Sequence, residues 1–599
     1  MIEYDVRLAS PQAHLFEVQC TIFNPDPKGQ TVSLPAWIPG SYLIRDFARH
    51  IVSMAASCDG KAVTITKTDK HTWQCAPCSG SLQLRYSVYA FDLSVRMAYL
   101  DTTRAYFNGT SLFLQVHGHE DTACGMTLHK PKHLDKSWQV ATGMTAEKTD
   151  KRGFGRYLAA NYAELIDCPV EIGELAVVDF KAGGIPHRIV VSGRHQADLK
   201  RIARDLKTLC THHIAFFGEA PFSRYEFMLY AAGDDQYGGL EHSNSTSLIC
   251  PRSWLPSQGE QLNEKGYQDF LGLCSHEYFH AWHVKRIRPL AFQQAELGRE
   301  AYTRMLWVFE GFTAYYDSLA LVRSGLISRE DYLKDLSESI TRLLRTPGRT
   351  VQALEESSFD AWVKLYRPDE NTPNAQISYY LKGSLVALAL DLTLRAYNSS
   401  LDEVMRALWQ QYGKTGTGVT EDAIEKLVAQ ICSPDIGQHL KKFFDMALRG
   451  TEDLPLAELI APFGVEYKVA VNGAAAKKQT QQSSALGIKL ANGGEAKLTH
   501  VYAGAAAEQA GLAGGDVVIA LDGIKVSAQN LEKLVSRKAP GTKIRIHAFR
   551  RDELMEFKVV TQAAPADSCT LTLSSQPTPQ AMQLLDNWLG KMASVSARE

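Results

Sequence analysis

Residues 276–280 read His-Glu-Tyr-Phe-His, and about thirty residues later the chain reads WVFEGFTAYYD. This pair of segments constrains the fold more than any other. The run GYQDFLGLCSHEYFHAWHVKRI (266–287) holds no proline, and Phe270, Leu273, Cys274, Trp282 and Ile287 recur at helical spacing. A helix is predicted over it. On a helix His276 and His280 stand one turn apart on one face, so both imidazoles can reach one metal ion. Glu277, beside the first of them, can bind the metal's water. The second segment, MLWVFEGFTAYYDSLALV (305–322), is apolar almost all round and predicts a buried helix. Glu310, a lone carboxylate inside it, is costly unless paired or bound to metal. It is the candidate third ligand; the alternative is a buried partner for an arginine. Two histidines and a glutamate, with one position left for water, form the pattern of a catalytic zinc site, one Zn2+ per chain. His283 is expected beside the site, since a fourth protein ligand would close the water's position.

With 599 residues the chain is long enough for three to five domains. Apolar content of 45 % and charged content of 22 % are ordinary for a globular protein. A net charge of −2 argues against a nucleic-acid surface and supplies no polybasic membrane patch. The N-terminus carries acids early and does not read as a signal peptide, and no apolar run is expected to span a membrane. Eleven scattered cysteines fit a cytoplasmic, reducing compartment. Cys75 and Cys78 form a single CxxC with no second pair, which reads as two unrelated thiols.

The fold class expected is multidomain α+β. Residues 1–170 alternate or run apolar between turn residues, as in HLFEVQCTIF and SLQLRYSVYAF, and predict a β-rich domain. Within it, AWIPGSYLIRDFARHI reads as a turn followed by a charged, aromatic segment with a structural role. Residues 171–326 mix strands with helices: HRIVVSG and YEFMLYAA read as strands, HQADLKRIARDLKTLCTHHIAFFG as a helix, and GDDQYGGLEHSNSTSLIC as a loop. Residues 327–468 read as helical, with a helix start at Ser328 supported by Glu330 and Asp331. VNGAAAKKQTQQSS (471–484) reads as a linker. Residues 485–562 form a compact module of short strands and one helix, and 563–599 a tail with one amphipathic helix.

Three segments in order, PGSYLIRDFAR, HEYFHAWHVKRIRP and WVFEGFTAYY, together resemble the glycyl aminopeptidase family of gluzincin zinc metallopeptidases, relatives of aminopeptidase N and leukotriene A4 hydrolase. The resemblance implies a thermolysin-like α/β catalytic domain with a helical extension. It also implies hydrolysis of the N-terminal peptide bond, with preference for glycine or small residues. His276, His280 and Glu310 would hold the zinc, and Glu277 would act as general base. ISYYLKGSLVALAL matches the relatives' Tyr-x-Lys-Gly motif as Tyr380, Lys382 and Gly383, which implies Tyr380 as oxyanion stabiliser, with Tyr379 as the alternative. GGLEH matches their Gly-x-Met-Glu-Asn motif, so Gly238 and Gly239 would let substrate approach and Glu241 would pair with its α-ammonium. The family usually has Asn where this chain has His283.

VYAGAAAEQAGLAGGDVVIALDG resembles the core of a protease-associated PDZ domain. That resemblance implies that Leu486, Gly487 and Ile488 form a carboxylate-binding loop for a C-terminal peptide. Lys285, Arg286 and Arg288, just past the metal helix, contact a substrate carboxylate or pair with acids. Two other functions stay open: an endopeptidase of the same clan that recruits substrates through the PDZ module, and a non-catalytic peptide-binding scaffold.

Overall fold

The computed structural model describes residues 1–131, 137–432, 437–471 and 483–591, so most of the linker expected at 471–484 lies outside them. The chain forms two compact units. One comprises Met1–Tyr302, Tyr316–Ile327 and Met405–Thr420; the other comprises Thr303–Tyr315, Ser328–Val404 and Glu421–Glu599.

In the first unit, an eight-stranded sheet is built around Ile2–Ser10, Leu15–Ile22 and Leu82–Tyr89. Strict alternation makes one face apolar: Leu82, Leu84, Tyr86 and Val88 are buried, while Gln83, Arg85 and Tyr89 are exposed. Two four-stranded sheets complete this β-rich part around one core. That core continues to Leu240 and Ile249 of a separate five-stranded sheet. The five strands run in the order Ala176–Ala182, Ile185–Ser192, Tyr225–Ala232, Ser245–Pro251 and Gly238–Glu241. The three middle strands are parallel, joined first by the crossover helix Leu199–Phe217, which Asp198 caps and Gly218 ends. Where the sequence reads as a loop, residues 238–251 form an antiparallel hairpin, with Gly238–Glu241 as the sheet's edge. Ser245, Thr246 and Ser247 are buried, so small hydroxyls line a strand that carries no apolar alternation.

The second unit is mainly helical. Arg329–Leu344 starts with a capping box in which Ser328 and Asp331 satisfy each other's backbone N–H. The helix Tyr379–Ala396 is buried on nearly every face. The stretch Thr372–Ala396 passes the length and composition test for a membrane span, contrary to the sequence reading, but 78 % of its apolar window is buried within the protein, as in a core helix. A Cβ on Gly311 would lie 2.7 Å from Gly383 Cα, and one on Gly383 would lie 2.9 Å from the Trp307 carbonyl. The two helices therefore cross where both lack side chains, which fixes Tyr379–Ala396 against the turn that carries Glu310.

A small β module with its own core follows, built on Ile488–Leu490, Ala496–Val501, Val517–Leu521, Lys543–Arg550 and Glu553–Val560. Asn374 clamps it: its amide donates to the Val501 carbonyl at 2.9 Å and accepts from the Ala503 N–H at 2.9 Å. The chain after 563 does more than add one helix. Ala566–Leu573 pairs antiparallel with Val465–Val471, and the helix Pro579–Leu589 buries Trp588.

Candidate metal centre and substrate strand

The metal helix runs Glu264–Phe279, capped by Asn263, and stops at His280 rather than continuing to residue 287. His280 keeps helical backbone angles, and its N–H donates to the His276 carbonyl, so the two rings remain one turn apart. The chain then turns sharply. Val284 takes φ 129°, a strained value for a β-branched residue. Arg286 braces the turn by donating to the carbonyls of Ser243, Ala281 and Pro221.

Each histidine is oriented through Nδ1. That of His276 meets Asp317 Oδ2 at 3.1 Å, and that of His280 meets the His283 carbonyl at 2.8 Å. This leaves Nε2 of each ring to ligate, the arrangement usual at metal sites. His283 thus acts on the site through its carbonyl. His276, His280 and Glu310 are a set of residues that could hold a metal ion. Two imidazoles and a carboxylate match the donor set of a zinc site with an open position. Asp317, two turns past Glu310 on the same helical run, was the partner that sequence reasoning missed; its spacing of seven residues was the available signal.

The edge strand passes beside these groups. Leu240 points into the β-rich core, so Gly239 and Glu241 face the opposite side. A Cβ on Gly239 would overlap Glu277 Oε1. The glycine hydrogen thus makes room for the carboxylate. Glu241 is buried, and its carboxylate lies within 4.8 Å of ligand atoms of Glu277 and His280. Two carboxylates this close favour a cation between them. On its other side Glu241 meets Gly40, where a Cβ would lie 2.6 Å from both carboxylate oxygens. Gly40 has φ +95°, a conformation glycine adopts readily. The segment PGSY is therefore a wall of the Glu241 pocket as well as a structural corner.

The cations after the metal helix are structural. Lys285 Nζ pairs with Asp167 at 2.6 Å, and Arg288 donates to the Lys285 carbonyl. His242 Nδ1 also contacts Asp167. Burial would raise the Asp167 carboxyl, but the Lys285 ammonium and the His242 ring outweigh it and hold it well below the usual carboxylate range.

Residues 3–174 match the model of the peptidase M61 N-terminal domain, and residues 269–386 match that of the M61 glycyl aminopeptidase. A crystal structure of an aminopeptidase N family protein from Idiomarina loihiensis is 40 % identical, with a TM-score of 0.93, over 98 % of this chain and 100 % of that one. The chain belongs to the M61 glycyl aminopeptidase family. A more distant likeness is to an M1 zinc metallopeptidase from Deinococcus radiodurans, solved as a mutant bound to a Tyr-Ser-Ala substrate. It is 17 % identical with a TM-score of 0.46, over 76 % of this chain and 94 % of that one, too remote to carry an argument. No curated protein matches the sequence significantly.

The aminopeptidase match covers His276, Glu277, His280, Glu310 and Tyr380, whereas Glu241 and the C-terminal module fall outside both matched stretches. The two adjacent tyrosines differ. Tyr379 is fully buried, while Tyr380 is partly exposed and shares a 2.9 Å hydrogen bond with the Tyr366 hydroxyl. In the C-terminal module Leu486 is buried, Gly487 has φ +71°, and Ile488 opens a strand. The carbonyls of Leu486 and Gly487 accept from the N–H groups of Ala507 and Tyr502.

Proposed function

We propose that this chain is a zinc-dependent aminopeptidase that removes N-terminal glycine or another small residue from peptides. The observation that carries the reading is Glu241: a buried carboxylate at the end of a glycine-bearing edge strand, within 4.8 Å of Glu277 and His280. Such a group suits a substrate's α-ammonium, which supplies the cation that the Glu241–Glu277 pair favours. His276, His280 and Glu310 would hold the zinc, which when bound supplies Lewis acidity toward the scissile carbonyl and acidifies a water. Glu277 takes the proton of the attacking water and delivers it to the leaving nitrogen. Tyr380 donates a hydrogen bond to the carbonyl oxygen as negative charge develops there, with Tyr366 holding its hydroxyl meanwhile. The partial exposure of Tyr380 favours it over buried Tyr379. Gly40 against Glu241 leaves little space at the amine end, which supports a preference for small first residues. The C-terminal module is proposed as a PDZ domain in which the loop Leu486-Gly487-Ile488 takes a peptide C-terminus.

The test is a set of glycyl, alanyl, leucyl and N-acetylglycyl anilides, with and without chelator, on the purified chain. Cleavage of the free glycyl and alanyl compounds is expected, with loss on chelation and recovery on adding zinc. Glu241→Ala should lower kcat/KM about a hundredfold or more. Equal cleavage of the N-acetyl compound would make the protein an endopeptidase, and inactivity on every free-amine compound would refute the reading.

A further inference from the structure

The edge strand carries, at the end away from Glu241, a cation with no role in the mechanism above. Arg96 comes from the turn before the strand Ala98–Leu100, in the same unit. Its Nη2 donates to the Gly239 carbonyl at 3.1 Å, and its Nη1 lies 3.4 Å from where a Cβ on Gly238 would be. Its Nε is buried with no hydrogen-bond partner among the described residues. None of the ion pairs among those residues involves Arg96. A partly buried guanidinium normally has an anion, and this one has only a carbonyl. Its position is well anchored. The Val95 carbonyl accepts from Tyr106 Oη at 2.9 Å and Asn108 Nδ2 at 2.7 Å, and Tyr106 Oη in turn accepts from the hydroxyl of Ser247 on the strand paired with the edge.

The strand serves as a ruler. Residues rise about 3.3 Å each, so Gly239 and Gly238 lie roughly 7 and 10 Å from Glu241 along it. The scissile bond must sit beside Glu277, which faces Gly239. With the scissile bond there and the ammonium reaching back to the Glu241 carboxylate, the terminal carboxylate of an extended dipeptide lies about 3.5 Å further on, at Gly238, where the guanidinium waits. One Nη2 proton is committed to Gly239. The outward protons of Nη1 and Nη2 remain for a two-pronged bond to a carboxylate.

We infer that Arg96 is a specificity-determining residue that binds the C-terminal carboxylate of a dipeptide, so that the preferred substrates are short peptides beginning with a small residue. The inference rests on the aminopeptidase reading, in which Glu241 holds the amine. A longer peptide offers Arg96 only a neutral carbonyl, a weaker partner.

The experiment compares kcat/KM for Gly-Ala and Gly-Ala amide in the wild type, Arg96→Gln and Arg96→Lys, with N-acetyl-Gly-Ala as a third substrate. The wild type should favour Gly-Ala over its amide by about tenfold or more, mostly through KM. Arg96→Gln should bring that ratio close to one, and Arg96→Lys should restore part of it. Absence of a preference in the wild type would overturn the inference. So would an Arg96→Gln variant that slows both substrates by the same factor, the mark of a residue that only braces Gly239. Cleavage of N-acetyl-Gly-Ala as fast as Gly-Ala would overturn the aminopeptidase reading and the inference with it.

Discussion

Asp317 holds the His276 ring through Nδ1, and a ligand ring held this way is both oriented and made more basic. Asp317→Asn should keep the fold and weaken zinc binding about 10- to 100-fold, as read from competition with a chromogenic chelator. An unchanged affinity would remove Asp317 from the site. Gly239→Ala tests the other side of the metal helix. The new Cβ overlaps Glu277 Oε1, so the carboxylate must move off its position beside the strand. The expected result is a fall in kcat of about a hundredfold or more at unchanged zinc content. The candidate metal residues are legible in the sequence because helical spacing alone places His276 over His280 and makes a lone Glu310 conspicuous. Gly40 and Arg96 are not legible as site residues. Tertiary packing brings them to a strand some 140 to 200 positions away, and no local pattern encodes that approach.

Two buried histidines support the metal helix from below: His187 Nε2 contacts Tyr278 Oη at 2.8 Å, and His213 Nε2 contacts Ser275 Oγ at 2.9 Å. Burial pushes His187 down to about 4 and His213 well below its ordinary value. In the unfolded chain both titrate near 6.5. Both are therefore neutral when folded, and their contribution is fully present above pH 6.5. As pH falls from 6.5 toward 4, only the unfolded chain takes up these protons, and stability drops by about 1.4 kcal/mol per pH unit per histidine. Urea midpoints between pH 7.5 and 5 should show this slope, and His187→Gln should reduce it by close to one proton. A slope unchanged in that variant would mean that His187 is protonated in the fold. Helix types are legible here because long apolar periodicity survives packing; their ends are not. The metal helix stops at His280 because Arg286 satisfies three carbonyls around a turn that helical spacing in Trp282 and Ile287 conceals.

The C-terminal β module is an insertion in a hairpin of the helical unit. Val471 and Ala566 stand opposite each other where Val465–Val471 pairs with Ala566–Leu573. The returning strand is bound into the unit: the N–H groups of Cys569 and Leu571 donate to Thr341 Oγ1 and Ser337 Oγ, and the Trp588 indole donates to Tyr315 Oη. Sequence reading sees the module clearly, since its turns and alternating strands are local. It misses the returning strand, because Cys569, Leu571 and Leu573 alternate with threonines between proline-containing stretches, and the partner lies about a hundred residues upstream. The two kinds of deletion should therefore behave oppositely. Ending the chain at residue 565 bares the strand edge of Val465–Val471 and the cavity of Trp588, whose loss alone costs about 3–5 kcal/mol. That protein should aggregate or melt more than 10 °C lower by calorimetry. Replacing 472–565 with an Asn-Gly turn closes the same strands into a tight hairpin and keeps Trp588 in place. It gives up the Asn374 clamp on the module, so its Tm should fall by only a few degrees. If the excised protein melted as low as the truncated one, the module would be part of the unit's own core rather than an insertion in it.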